Sequence, residues 1–141
     1  MRTISTTDLA HRLRPVLTRL ARRMRQEAGG DLTPTQVAAL ATIVRFGPLT
    51  PSELASREKI QRPTATRVLS LLEERGLVAR TADPSDRRSS LVTATDRAEV
   101  LLAEVRDKKD AYLARRLEAL SPEDLVVLDR AAEILERVLD E

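Results

Sequence analysis

Apolar side chains recur along most of this chain with the period of an amphipathic α-helix. The first such stripe lies near the N-terminus and consists of Leu9, Leu13, Val16, Leu17, Leu20 and Met24. It predicts a helix over residues 8–28. Pro15 lies inside the stripe, and because proline disrupts a helix interior, we expect either a kink or a later start there.

Three segments carry the same helix-start signature, in which Thr or Ser precedes Pro and an acidic or amide residue follows two positions later. They are "TPTQ" at 33–36, "TPSE" at 50–53 and "SPED" at 121–124. Thr or Ser then caps the helix, Pro takes its first position, and the third position completes a capping box or a close relative of one. The signatures predict helices over residues 34–46, 51–57 and 122–140, the first ending at Gly47-Pro48.

The rest of the chain contains two more helices and one hairpin. One helix is predicted from about Arg62 to Arg75, with Gly76 as its C-terminal stop. The short apolar runs "GLVAR" and "SLVTAT" flank the turn-forming stretch "DPSD", a pattern typical of a β-hairpin. A long helix follows over residues 96–120, with Thr95 as its cap. The predicted fold class is therefore mainly α with a small β-hairpin.

The helix that begins near Arg62 has two contrasting faces. Its apolar face consists of Ala65, Val68, Leu69 and Leu72. The opposite face carries Pro63, Arg67, Ser70 and Glu74, with Thr64 and Thr66 on its flanks. Small, hydroxylated and basic side chains suit a helix that enters a DNA major groove, and with the short helix before it the segment fits a helix-turn-helix. An ordinary αα-hairpin with a solvated outer face is the alternative.

The hairpin tip carries two adjacent arginines, Arg87 and Arg88, which a closing turn does not require. A hairpin directly after a helix-turn-helix is a wing, and an arginine at its tip can enter a narrow minor groove. Asp86 is close enough in sequence to orient the Arg88 guanidinium. The alternative is that these side chains are merely solvated.

The last helix, over residues 122–140, is apolar over more than one stripe, which favours burial against a second copy of the chain. A central core helix is the alternative.

Taken together, "LTPTQVAALATI", "LTPSELASRE", "RPTATRVLSLLEERGLVAR" and "DPSDRRSSLVTAT" resemble successive motifs of MarR-type transcriptional regulators. The resemblance implies a homodimeric winged helix-turn-helix protein, with residues 1–30 and 96–141 forming dimerisation helices around a DNA-binding domain at 31–95. It places Thr64, Thr66 and Arg67 on the recognition helix and Asp86 and Arg88 on the wing. It also implies a small aromatic or lipophilic effector. The usual Leu-Thr and Gly after the wing are replaced by Ala94-Thr95 and Ala98.

Composition narrows the function classes. The chain of 141 residues has no cysteine, one histidine (His11) and two aromatic residues, which argues against disulfides, a metal centre and single-strand stacking platforms. We find no catalytic constellation and expect no cofactor. The absence of a long apolar run and of a signal core favours a cytoplasmic protein that does not enter membranes. Basic residues outnumber acidic ones at 45–88, whereas acidic residues dominate 121–141, so only part of the surface is expected to meet a polyanion.

These observations predict a regulator that binds an inverted-repeat operator in double-stranded DNA as a dimer. The resemblance implies that it is a repressor relieved by the effector, with an activator as the alternative. The candidate DNA-binding residues are Gln61, Arg62, Thr64, Thr66, Arg67, Ser70, Asp86, Arg87 and Arg88. The alternative is a winged-helix protein–protein adaptor that does not bind DNA, and the basic wing speaks against it.

Overall fold

The computed structural model describes residues 2–140, which form six helices and one antiparallel hairpin. In chain order the elements are α1 (Thr6–Ala28), α2 (Pro34–Phe46), α3 (Pro51–Glu58), α4 (Arg62–Glu74), β1 (Val78–Asp83), β2 (Asp86–Ala94), α5 (Asp96–Leu117) and α6 (Pro122–Leu139). This is the predicted order of elements, and the fold class is confirmed as mainly helical with a hairpin after a helix-turn-helix.

The three predicted helix caps are confirmed. The Thr33 hydroxyl accepts a hydrogen bond from the Gln36 backbone N–H at 3.2 Å, and the Gln36 side-chain oxygen accepts one from the Thr33 N–H at 2.9 Å. Thr50 and Ser121 cap α3 and α6 in the same way, each through one bond at 3.1 Å. These bonds satisfy backbone donors that have no partner inside the helix, so the start of each helix is set locally.

Three details differ from the predictions. Helix α1 begins at Thr6 and runs through Pro15, so a later start is wrong; Ser5 stabilises the first turn by accepting a bond from the Asp8 N–H at 3.3 Å. Helix α5 ends at Leu117 rather than at residue 120. The Thr95 hydroxyl donates to the Gly76 carbonyl at 2.7 Å, so it ties the end of the hairpin to the end of α4 instead of capping α5.

The hairpin is anchored at its base and bulged near its tip. Val78 pairs with Ala94, and the regular register continues to Ala82 opposite Ser90. Asp83 then pairs with Asp86, which leaves residues 87–89 of β2 without a partner on β1. At the other edge of β2, Val92 exchanges backbone hydrogen bonds with Leu49 at 2.7 and 3.0 Å. At the base of the hairpin, β2 is therefore hydrogen-bonded on both of its edges, to β1 and to Leu49. The segment that carries Arg87 and Arg88 lies outside the β-ladder.

One hydrophobic core holds the helix-turn-helix and the base of the hairpin together. Its largest fully buried side chains are Leu40, Ile43, Leu54, Leu69, Leu72 and Val92. The predicted inner face of α4 is confirmed, because Ala65, Val68, Leu69 and Leu72 are all buried. Gly76 adopts a positive φ of 70°, a conformation that favours glycine, and so permits the sharp exit from α4 into β1.

The chain divides into two compact units. One spans Ala28–Asp107 and contains α2 to β2 with the first half of α5; the other contains the chain up to Glu27 and from Lys108 onward. No residue of α6 is buried, which rules out the alternative of a central core helix within a single chain. Val127, Val138 and Leu139 of this helix are 64%, 65% and 83% exposed. Among residues 2–140, no helix is long and apolar enough to cross a membrane.

Candidate nucleic-acid interface

A short turn connects α3 to α4 and sets the geometry of the helix-turn-helix. Lys59 ends α3 in the left-handed conformation with φ 54°, and the Ile60 N–H donates to the Ala55 carbonyl at 3.0 Å. Leu54 and Ala55 face the core and let α3 approach α4 closely. The Arg62 guanidinium donates to the Ser52 hydroxyl, which joins the first turn of α4 to the first turn of α3.

The outer face of α4 presents the predicted side chains to solvent. Gln61 occupies the N-cap position without making a side-chain capping bond, so its amide remains available. The Thr66 hydroxyl donates to the Arg62 carbonyl at 3.0 Å and keeps its lone pairs free to accept. Thr66, Arg67 and Ser70 are exposed, and Thr64 is half-buried. The face can therefore both donate to and accept from base edges or phosphates.

Arg67 lies beside an open cleft of about 390 Å³ between α4 and the start of α2. The cleft is lined by Thr33, Thr35, Gln36, Thr64, Arg67, Val68 and Leu71. Within residues 2–140, the Arg67 guanidinium has neither an ion pair nor a hydrogen bond. An unpaired, exposed guanidinium on a recognition helix can form the two-pronged contact that arginine makes to guanine.

The turn of the hairpin is held by one carboxylate. Asp83 Oδ1 accepts hydrogen bonds from the Ser85 backbone N–H at 2.9 Å and from the Ser85 hydroxyl at 2.7 Å. The side-chain bond first and the backbone bond second lower the pKa of Asp83 below its ordinary value. The two bonds therefore favour the ionised carboxylate, which holds the turn that precedes the arginines.

Asp86 organises the bulge through the backbone. Its Oδ1 accepts a hydrogen bond from the Arg88 backbone N–H at 3.0 Å. The expected contact between this carboxylate and the Arg88 guanidinium is not formed, because the peptide N–H two residues on is nearer at hand in such a turn. Arg87 and Arg88 are exposed, and neither guanidinium has an ion pair in the described part of the chain.

A charged pair that the pattern of apolar positions does not reveal joins the wing to α4. Arg80 Nε donates to Glu73 Oε2 at 2.6 Å. Glu73 lies in the last turn of α4 and Arg80 is the third residue of β1. The only sequence signal for this contact is a pair of opposite charges that flank the Gly76 turn.

The compact unit Ala28–Asp107 contains every candidate DNA-binding residue. Two further residues singled out by their rarity lie outside it. His11 is exposed on α1, and Tyr112 on α5 is 8% exposed with the Arg116 guanidinium 5.6 Å from its ring centre. Residues 2–140 hold no group of three His, Cys, Asp or Glu side chains placed to bind a metal ion.

Comparisons with known proteins place this geometry in a family. Residues 32–90 match the model of the MarR family. An HTH-type transcriptional regulator of Mycobacterium bovis is 32% identical over 97% of this chain and 96% of its own length. The HTH-type transcriptional repressor MdtR of Bacillus subtilis is 33% identical over 67% of this chain and 61% of its own length. The solved structure of a MarR family protein from Bacillus stearothermophilus superposes with a TM-score of 0.78, at 27% identity, over 99% of this chain and 100% of that one.

Proposed function

Since this chain belongs to the MarR family of transcriptional regulators, we propose that it represses transcription by binding an inverted-repeat operator in duplex DNA as a homodimer. The family and the similar proteins are transcription regulators rather than enzymes. The observation that carries the proposal is the presence, in one compact unit, of two unpaired basic probes. They are Arg67 on the outer face of α4 and the Arg87–Arg88 pair on the wing.

The two probes would read different parts of the operator. Helix α4 would enter the major groove, with Gln61, Thr64, Thr66 and Ser70 around Arg67 at the base edges and flanking phosphates. The wing would reach the adjacent minor groove, where a guanidinium gains from the negative potential of a narrow groove. Arg62 is tied to Ser52, so we assign it to a phosphate near the start of α3 rather than to a base.

A homodimer follows from the apolar surface that the single chain leaves open. Val127, Ile134 and Val138 share one face of α6 at about 100° per residue, and all three are exposed. Helix α1 adds Val16 and Leu17, which are also exposed. Large exposed apolar side chains gathered on one helix face mark interaction sites, and a second copy of the chain would cover them. A two-fold dimer presents two recognition helices, which predicts two half-sites about one helical turn apart.

Repression, and its relief by a small aromatic or lipophilic effector, belong to the same proposal. Repression is supported by the name of the Bacillus subtilis relative, a transcriptional repressor. The effector is supported by the family resemblance alone, and we assign no residue to it. A cytoplasmic location is also proposed, because a regulator of transcription has to reach chromosomal DNA.

Footprinting and gel-shift titration of the purified chain on its own promoter region would test the proposal. We expect one protected palindrome, bound far more tightly than random duplex of equal length. The affinity should fall steeply with salt, because each phosphate contact releases counterions. Arg67→Ala serves as the matched variant, since it removes a probe without touching the core. Uniform weak binding to all duplexes would contradict the proposal and favour the adaptor without DNA binding.

A further inference from the structure

The hairpin has a weak point between its anchored base and its tip. The alternation along β1 directs Val78 inward, where it is buried, and the next inward position is Arg80. On β2 the residue opposite Arg80 is Val92, which is buried and hydrogen-bonded to Leu49. The hairpin therefore leaves the hydrophobic core beyond the Arg80–Val92 pair. From Val78 to the tip it extends about 20 Å at about 3.3 Å per residue, so a rotation of about 10° at its base would displace the tip by about 3 Å.

One side-chain contact joins α4 to the hairpin next to this weak point. Within residues 2–140, the bond from Arg80 Nε to Glu73 Oε2 at 2.6 Å is the only side-chain hydrogen bond between α4 and the hairpin strands. The Arg80 side chain is 28% exposed and that of Glu73 is 47% exposed, so water screens the pair in part. Such a pair contributes little to folding stability. Its position on β1, at the outer end of the part of the hairpin that the core supports, gives it a different use.

We infer that Glu73 and Arg80 are positioning residues, which hold the wing at a fixed angle to α4 so that both basic probes engage the operator together. The inference rests on the proposed DNA-binding function. Neither side chain needs to contact DNA in this role. Glu73 is an acidic residue at the end of a helix that would lie against a polyanion, where its charge alone would weaken binding. A positioning role accounts for an acidic residue at this site.

The charge of Glu73 and its positioning role have opposite effects on operator binding, and this opposition provides the sharpest test. Glu73→Gln removes a negative charge, so electrostatics alone predicts tighter binding to every DNA sequence. The positioning role predicts the opposite for the operator: affinity should fall about threefold to fivefold, the upper end of what a partly exposed ion pair supplies. Glu74→Gln is the matched control, because it makes the same charge change at an exposed neighbour that forms no ion pair in the described residues.

Two further variants separate positioning from a general loss of structure. If Glu73 acts on DNA only through the wing, Arg88→Ala should cost less affinity in the Glu73→Gln background than in the parent chain, by about the same threefold to fivefold factor. The reversed pair, Glu73→Lys with Arg80→Glu, keeps the net charge and should restore most of the operator affinity. Circular dichroism melts should be nearly the same for all of these variants.

A measurement without DNA tests the orientation itself. The chain has no cysteine, so Ala82→Cys offers a single site for a nitroxide label on the exposed outer part of β1. The electron paramagnetic resonance spectrum should show a more mobile label with Glu73→Gln, but not with Glu74→Gln. An unchanged label mobility with Glu73→Gln would overturn the inference. So would a mobile label combined with unchanged operator binding and an undiminished Arg88→Ala effect. A parent chain that binds no operator would overturn the proposed function and the role of the pair on DNA, whereas the label would still report whether the pair holds the wing.

Discussion

Charging the apolar face of α6 should separate dimerisation from folding. Val127 and Val138 lie three turns apart on one side of this helix, and they are 64% and 65% exposed in the single chain. Replacing both with Glu places no charge in the core of the monomer. The free energy of unfolding of each unit should therefore change by no more than about 0.5 kcal/mol per site, as for other surface substitutions.

The effect on the proposed dimer should be far larger. If a second copy covers this face, each glutamate becomes a buried charge without a partner, which costs several kcal/mol. Two-fold symmetry places every substitution in the interface twice. If each of the two substitutions weakened dimerisation by only about 3 kcal/mol, each would raise the dimer dissociation constant by about a hundredfold, because 1.4 kcal/mol corresponds to a factor of ten. The double variant should be monomeric, or should aggregate through its remaining apolar surface.

Sedimentation velocity over a range of concentrations would measure this change, with operator binding as a second readout. Asp129→Asn combined with Glu136→Gln is the matched control. It changes the net charge by the same magnitude on the opposite face of α6, and it should leave the dimer intact. A Val127→Glu, Val138→Glu variant that dimerises as tightly as the parent chain would refute the reasoning. These valines would then lie outside the dimer interface, and a second copy of the chain would not be what covers this face of α6.

Four further predictions concern the DNA-binding unit. Arg67→Ala should cost about 1–3 kcal/mol on the operator and relax the preference at one base pair, as measured with single-substitution operators; an equal loss on all sequences would make Arg67 a phosphate contact. Arg88→Ala should cost about 1–3 kcal/mol in the same assay, Asp86→Ala less, and the double variant no more than Arg88→Ala, because Asp86 acts on Arg88 through its backbone; additive losses would contradict this. Arg87→Ala should weaken all sequences alike and reduce the salt slope by about one, and a base-specific effect would show that it reads sequence. The pKa of Asp83 is lower in the folded chain, so the stabilisation from its hydrogen bonds is fully present above the unfolded pKa and is lost only as pH falls through the folded pKa. Operator affinity measured at about pH 6–8 should therefore show no transition due to Asp83, and a transition that disappears with Asp83→Asn would contradict this.

Local rules were sufficient for most of the fold. The starts of α2, α3 and α6 follow from capping residues that act on their own first turn, so the sequence alone identifies them. The inner face of α4 follows from helical periodicity, and its end follows from Gly76. The resemblance of the wing and the recognition helix to a known family added the arrangement of these elements in space.

Other features depend on contacts between segments, which local rules do not reach. Thr95 has the sequence signature of a cap, yet its hydroxyl bonds to the Gly76 carbonyl, 19 residues away. The path of the neighbouring chain selected this partner. The Asp86 bond is different, because it joins residues two positions apart: the carboxylate was expected on the Arg88 guanidinium, but the local turn brings the Arg88 backbone N–H closer.

Periodicity, caps and turn residues act over a few positions, so the order of residues is enough to predict a helix-turn-helix with a basic outer face and a basic wing. Three other features come from the folded chain: α6 buries none of its apolar side chains, Arg67, Arg87 and Arg88 remain unpaired among the described residues, and Glu73 and Arg80 join the wing to α4. Burial and ion pairing depend on which distant segments meet, and no local pattern contains that information. A helix with an apolar surface has the same sequence pattern whether the chain covers that surface itself or leaves it open.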